Sequence, residues 1–116
     1  VNDRAETGRR AEDLAAAFLR AKGLEILERN FRAKVGEIDL VARDGEEVVF
    51  VEVRARAARG YGGAAASVDA AKRRKLVRAA RLWLSARGWD GACRFDVVTL
   101  DADRLEHIPA AFTADA

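Results

Sequence analysis

The stretch from Gly36 to Arg56, GEIDLVARDGEEVVFVEVRAR, restricts this chain to few folds. Apolar residues alternate on both sides of Asp44-Gly45, and an Asp-Gly pair between alternating runs is among the strongest short-range hairpin signals. Alternate side chains leave a strand on opposite faces, so Ile38, Leu40 and Ala42 are expected to share one face, and Glu37, Asp39 and Val41 the other. On the second strand Val49, Val51 and Val53 form the apolar set, while Val48, Phe50, Glu52 and Arg54 face the other way. With Asp44-Gly45 as a two-residue turn, Arg43 pairs with Glu46, Asp39 with Phe50 and Glu37 with Glu52. Asp39 and Glu52 then become diagonal neighbours, their backbones roughly 7 to 8 Å apart. Carboxylates crowded on one face raise a pKa or demand a cation. A solvated polar face is the plainer reading of the same pattern. A one-residue slip of the turn is expected to break the constellation.

The rest of the chain reads as one domain over residues 1–116, with a core from about residue 8 to 112, because 116 residues suffice for one core and not two. Ala11, Leu14, Ala15, Phe18 and Leu19 recur at helical spacing, so a first helix is expected from about Thr7 to Lys22, stopped by Gly23. Glu12 lies at the margin of that stripe. An acid so placed ordinarily reaches solvent; the alternative is that it points along the sheet toward the hairpin carboxylates. Leu24 to Glu28 reads as a short strand and Asn30 to Val35 as a loop. Gly60, Gly62 and Gly63 around Tyr61 predict a loop after the hairpin, led into by Arg54, Arg56 and Arg59. That loop could close over a nucleic-acid backbone with Tyr61 stacked on a base, or be a connector with an incidental aromatic.

A second helix is expected over about Ala70 to Arg87, capped by Ser67 or Asp69 and ended by Gly88. Leu76, Ala79, Ala80, Trp83 and Leu84 make its buried stripe. Arg74, Lys75, Arg78 and Arg81 lie largely off it, free to contact phosphates or simply to be solvated. Lys72, four residues before Leu76, is placed to reach toward the hairpin. Arg94 to Leu100 alternates as a strand, and Leu105 to Ile108 reads as a short return ended by Pro109. Asp96 is expected to partner an arginine, His107 to be exposed, and Trp83 and Trp89 to pack in the core or at a helix end.

Charge is uneven. Ten basic residues stand against a single acid, Asp69, between Arg54 and Arg87, whereas the remainder carries eleven basic and eighteen acidic residues. This favours an anionic partner for the basic half. Cys93 is alone, which excludes a disulfide framework, argues against a zinc site and fits a reducing compartment. No apolar run approaches a membrane span, so a soluble cytoplasmic protein without a membrane partner is expected.

Asp39 and Glu52 form an oxygen pair of the kind that, with water and substrate phosphate, holds Mg²⁺ or Mn²⁺. An aspartate on one hairpin strand followed by Glu-x-basic on the next resembles the PD-(D/E)xK nuclease core. Seven segments in order, GRRAEDLAAAFL, NFR, GEIDLVARDG, VFVEVRAR, YGGAAASVDAAKRRKL, RFDVV and HIPAAF, resemble the YraN-like family of uncharacterised bacterial proteins, which is similar to archaeal Holliday-junction resolvases. The resemblance runs from about Gly8 to Phe112. It implies an α/β restriction-endonuclease-like core, a mixed sheet flanked by helices in the order α-β-β-β-α-β with a short extra strand. It further implies a Mg²⁺- or Mn²⁺-dependent endonuclease acting on DNA, branched DNA included, and a twofold homodimer.

Carried over by position, the resemblance makes Glu12 the helix acid and Asp39 and Glu52 the metal carboxylates. The backbone carbonyl of Val53 joins them, with Glu12 and Glu37 as further candidates. Arg54 occupies the motif lysine position and Lys72 matches a recurring lysine of the second helix. Arginine is not deprotonated in a protein, so Arg54 cannot be a base, and Lys72 is the compensating cation. Arg32, Arg56, Arg59, Tyr61, Lys72, Arg74, Lys75 and Arg78 are the candidate nucleic-acid contacts. Two other classes stay open: a nuclease-like binding module without turnover, and a structural or partner-binding protein in which the acids only form salt bridges.

Overall fold

The strand β3 (Glu47–Ala55) is covered on both faces, and its alternation defines the layers. Val48 and Phe50 belong to one buried cluster, with Leu76, Ala79, Ala80 and Trp83 of α2 (Ala70–Arg87). Val49 and Val51 belong to another, with Ala15, Ala16 and Leu19 of α1 (Asp3–Ala21). The two helices therefore cover opposite faces of one sheet. The computed structural model describes residues 3–55 and 68–114, with the backbone alone for residues 3–7. Arg56, Arg59, Tyr61 and Ser67 lie outside the described residues.

Chain order is α1, β1 (Glu25–Ala33), β2 (Gly36–Asp44), β3, α2, β4 (Cys93–Asp101) and β5 (Arg104–Phe112). The strands lie side by side in that order. All neighbours are antiparallel except β3 and β4, whose parallel pairing requires the crossover that α2 supplies. Among the described residues the fold is thus α/β, with a five-stranded mixed sheet and two helices. Phe50 sits at the centre of the α2 face, stacked on Phe95 at 5.6 Å and edge-on to Trp83 at 5.8 Å between ring centroids. Asp69 caps α2 by accepting the Lys72 N–H at 2.8 Å, and Gly88 closes it at φ 64°. No helix among the described residues is long and apolar enough to cross a membrane.

Four local expectations need correction. The hairpin pairs Asp44 with Glu47 and Arg43 with Val48, so Gly45-Glu46 is the turn. Gly45 alone has positive φ, at the first central position, where a type II′ turn favours glycine. Moving the turn by one residue shifts both strands together and so preserves faces, contrary to the expected break-up of the acidic constellation. Second, β1 runs through Asn30 instead of ending before it. Asn30 adopts φ 56°, a conformation that asparagine tolerates better than most residues. Third, Ile38 and its cross-strand partner Phe31 pack on the α2 face, whereas Leu40 and Ala42 pack on the α1 face. Alternation therefore breaks at Asp39, across from Asn30. Fourth, β5 continues through Pro109, because it is an edge strand and bulges there, with Ala110 at φ 49°.

Candidate functional site

The ladder between β2 and β3 stops at Leu40 and Val51, one step before Asp39 and Glu52, although both strands continue. The Asp39 carboxylate occupies that fork, where its Oδ2 accepts the Val53 backbone N–H at 2.8 Å. In an antiparallel strand a residue sends its N–H and its C=O toward the same neighbour, so the Val53 carbonyl also faces the fork. Glu52, the next residue back, is 4% exposed. Its Oε2 lies 3.5 Å from Arg54 Nη1 and 3.6 Å from Lys72 Nζ.

Burial, the charge of Asp39 and a hydrogen bond shared with Asp39 push the Glu52 carboxyl up to about 8, more than Lys72 and Arg54 offset. Glu52 therefore holds a proton at neutral pH. Glu12 approaches from the α1 side. It too is raised, by burial and then by repulsion from Asp39, against a hydrogen bond from Asn30 and the charge of Arg29. Arg29 Nη2 stands 3.8 Å from Glu12 Oε1 and 2.6 Å from Asp13 Oδ1. Thus Glu12 points along the sheet and not out to solvent.

The structure brings together Glu12, Asp39, Glu52, Val53, Arg54 and Lys72 from four elements, α1, β2, β3 and α2. It does not bring Glu37 into the fork. Glu37 is exposed, paired across the strand with Arg32, and opens onto a separate cleft. Arg74, Lys75 and Arg78 are exposed on α2, and Arg32 is exposed on β1. Among the described residues no three His, Cys, Asp or Glu side chains are grouped to hold a metal ion. An ion in the fork would therefore draw on Asp39, Glu52 and the Val53 carbonyl, a donor set matching the one or two carboxylates that Mg²⁺ commonly takes.

A destabilising acid gives a signed prediction. Glu52 binds its proton more tightly folded than unfolded, so its contribution is full below the ordinary carboxyl value of 4.5 and is lost as pH rises toward about 8. Glu52→Gln abolishes that loss. At about pH 9 the variant should be more stable than the parent by roughly 2 kcal/mol or more, with little gain near pH 4, in denaturant titrations. Equal stability of both proteins across that range would contradict the buried repulsion.

A second buried carboxylate lies on the α1 face. Asp96, fully buried, accepts Arg94 Nε at 3.0 Å, Arg94 Nη2 at 3.2 Å and the Ala110 N–H at 2.9 Å. It also meets His107 Nε2 at 2.7 Å. The Lys22 ammonium, a donor only, reaches His107 Nδ1 at 2.7 Å, so Nε2 carries the hydrogen given to Asp96. Burial alone would raise the Asp96 carboxyl, but His107, Arg94 and the Ala110 N–H together hold it below the usual range. Arg94 extends the network to Asp44 and Glu47, each at 3.0 Å. The arginine partner of Asp96 was legible; the exposure expected for His107 is wrong, since its side chain is only 3% exposed. His107 pairs with Val98, whose side chain is buried on the α1 face, so the β4–β5 register turns it inward; the bulge that follows brings the Ala110 N–H to Asp96.

Sequence reasoning also missed Asn30, whose side chain steadies Glu12 and whose backbone sets the break at Asp39. An asparagine inside a strand-like run was its only signal.

Comparison with known proteins places these residues in a lineage. A UPF0102 protein of Alkalilimnicola ehrlichii is 55% identical over 111 residues, covering 94% of this chain and 88% of that protein. One from Cupriavidus taiwanensis is 57% identical over 111 residues, 94% of this chain and 84% of its own length. Another, from Halorhodospira halophila, is 48% identical over 116 residues, 99% and 93% of the two chains. The model of the uncharacterised protein family UPF0102 matches residues 11–100, a span containing Glu12, Asp39, Glu52, Arg54 and Lys72. The chain belongs to the UPF0102 family, the YraN-like proteins its segments resemble.

Proposed function

We propose that this protein is a Mg²⁺- or Mn²⁺-dependent endonuclease with a restriction-endonuclease-like core, hydrolysing phosphodiester bonds of DNA, branched DNA above all, in the cytoplasm. The observation that carries the reading is the fork: two carboxylates and a backbone carbonyl converge where the β2–β3 ladder ends, with two cations against the buried acid. The donors are hard oxygens, and burial beside Asp39 raises the Glu52 carboxyl by more than Lys72 and Arg54 offset. When bound, the ion would supply Lewis-acid polarisation of a phosphoryl oxygen and a water of lowered pKa.

The chain's own residues then have distinct duties. Asp39 is oriented by the Val53 N–H, which also fixes the carbonyl beside it. Glu52 is held between Arg54 and Lys72, whose charges are placed to offset the negative charge that builds on phosphorus-bound oxygens. Arg54 stays protonated throughout and works by charge alone. Glu12 sits behind Asp39, raising the negative potential of the fork. A symmetric junction suits a twofold dimer, the commonest oligomeric form.

The test is incubation of a four-way junction and a nicked plasmid with purified protein and Mn²⁺. Metal-dependent cleavage is expected. Salt-sensitive binding without turnover would select a second reading, a nuclease-like binding module, which Arg54 in place of the motif lysine favours. Neither binding nor cleavage would leave a structural protein.

A further inference from the structure

A second cleft, of about 280 Å³, opens between the turn at residues 33–37 and the first half of α2. Lys34, Lys72 and Lys75 line it together with Glu37. This chain has twenty-one basic residues but only four lysines, and three of the four meet here. Ammonium groups are compact and rotatable, which suits a phosphate approached from several directions better than the planar fork of arginine does. The turn is seated against α2 by a contact that only glycine allows: a Cβ at Gly36 would lie 2.6 Å from the Lys75 carbonyl oxygen. Lys72 belongs to both places, lining the cleft while its ammonium stands 3.6 Å from Glu52.

We infer that this cleft is a subsite for a DNA backbone phosphate flanking the bond cleaved at the fork, gripped by Lys34 and Lys75 and gated by Glu37. The inference rests on the nuclease reading for its substrate, but it assigns Glu37 a role opposite to metal binding. A carboxylate beside a phosphate site repels the ligand, so its removal tightens binding in the absence of metal. The strand then runs from the β1–β2 turn over Lys72 into the fork. Volume agrees, since about 280 Å³ lies at the small end of ligand sites, enough for a phosphate and part of a sugar.

The experiment measures binding of a fluorescent four-way junction in EDTA, where cleavage cannot intervene. Lys34→Gln/Lys75→Gln should weaken binding about tenfold and reduce the slope of log K against log salt by about two. Arg20→Gln/Arg104→Gln, which removes the same charge from exposed positions elsewhere, should change affinity by less than about threefold. Glu37→Gln should bind about two- to threefold tighter. Equal weakening by both double variants, or weaker binding by Glu37→Gln, overturns the subsite. The two readings fail separately. Binding that depends on Lys34 and Lys75 in a protein inert with Mn²⁺ removes the nuclease and keeps the subsite. Mn²⁺-dependent cleavage whose KM is unmoved by the lysine pair keeps the nuclease and removes the subsite.

Discussion

Asp39→Asn should lower Mn²⁺-dependent DNA cleavage by about a thousandfold, equivalent to about 4 kcal/mol of transition-state stabilisation, while leaving the protein folded. Asparagine keeps an oxygen where Asp39 Oδ2 accepts the Val53 N–H at 2.8 Å, so the local geometry of the fork survives. What disappears is the charge. The variant also loses repulsion against Glu52 and Glu12, so its stability should equal or exceed the parent's. Binding of DNA in EDTA should stay the same or tighten, because a negative charge has left the phosphate path. Unaltered cleavage by Asp39→Asn would remove the fork from the chemistry. Loss of cleavage with loss of folding would show a structural role instead, which is why the amide and not alanine is the informative change.

The opposite pattern is expected on the other face of the sheet. Asp96→Ala should destabilise the fold by about 3 to 5 kcal/mol, because it leaves the Ala110 N–H, His107 Nε2 and the inner edge of the Arg94 guanidinium without their acceptor. The corresponding fall in Tm is roughly 15 °C or more. Asp96 is held below the ordinary carboxylate range, so its contribution is present above that range and lost as pH falls through the folded value. Thermal scans of parent and variant should therefore differ most near neutral pH and converge in acid. Molecules that remain folded should keep Mn²⁺-dependent cleavage, since Asp96 packs with the α1 face and Glu52 faces Lys72 of α2. A penalty below about 1 kcal/mol would mean that the network is ornamental.

These two carboxylates mark how far the sequence could be read. Both lie on strands, Asp96 buried and Asp39 half-buried, and the hydrophobic pattern located each strand. The β3 alternation and the caps of α2 were legible because each is written in neighbouring residues: Val-Val-Phe-Val in one case, Asp69 and Gly88 in the other. Lys72 toward Glu52 was legible too, since a position on the core-facing stripe leaves little choice of direction. The failures share a cause. Asn30, Gly45 and Ala110 each turn the backbone to positive φ, and each displaces a register or a face that simple alternation assumes. Asn30 turned an expected loop into a strand and twisted the chain at Asp39. Gly45 moved the hairpin pairing and set Asp39 beside Glu52 instead of diagonal to it. Ala110 and the bulge at Pro109 carried β5 past its expected end and brought the Ala110 N–H to Asp96. The candidate site survived these errors because a turn displaced by one residue preserves which face each strand residue occupies.

The separation between fork and lysine cleft was not legible at all. Glu37, Asp39 and Glu52 appear in sequence as one acidic face, yet the break in alternation at Asp39 divides them. Asp39 and Glu52 are drawn into the end of the β2–β3 ladder, and Glu37 is left among lysines. Two neighbouring carboxylates in one motif thereby acquire opposite electrostatic surroundings, one short of positive charge and one rich in it.

Titration of the protein with Mn²⁺ in the absence of DNA, followed by the loss of the free-ion electron paramagnetic resonance signal, tests the central claim most directly. The parent should bind Mn²⁺ saturably in the millimolar range or below, and both Asp39→Asn and Glu52→Gln should abolish that binding while Glu37→Gln retains it. A parent that takes up no Mn²⁺ at millimolar concentration, or uptake indifferent to Asp39 and Glu52, would contradict a metal site at the fork.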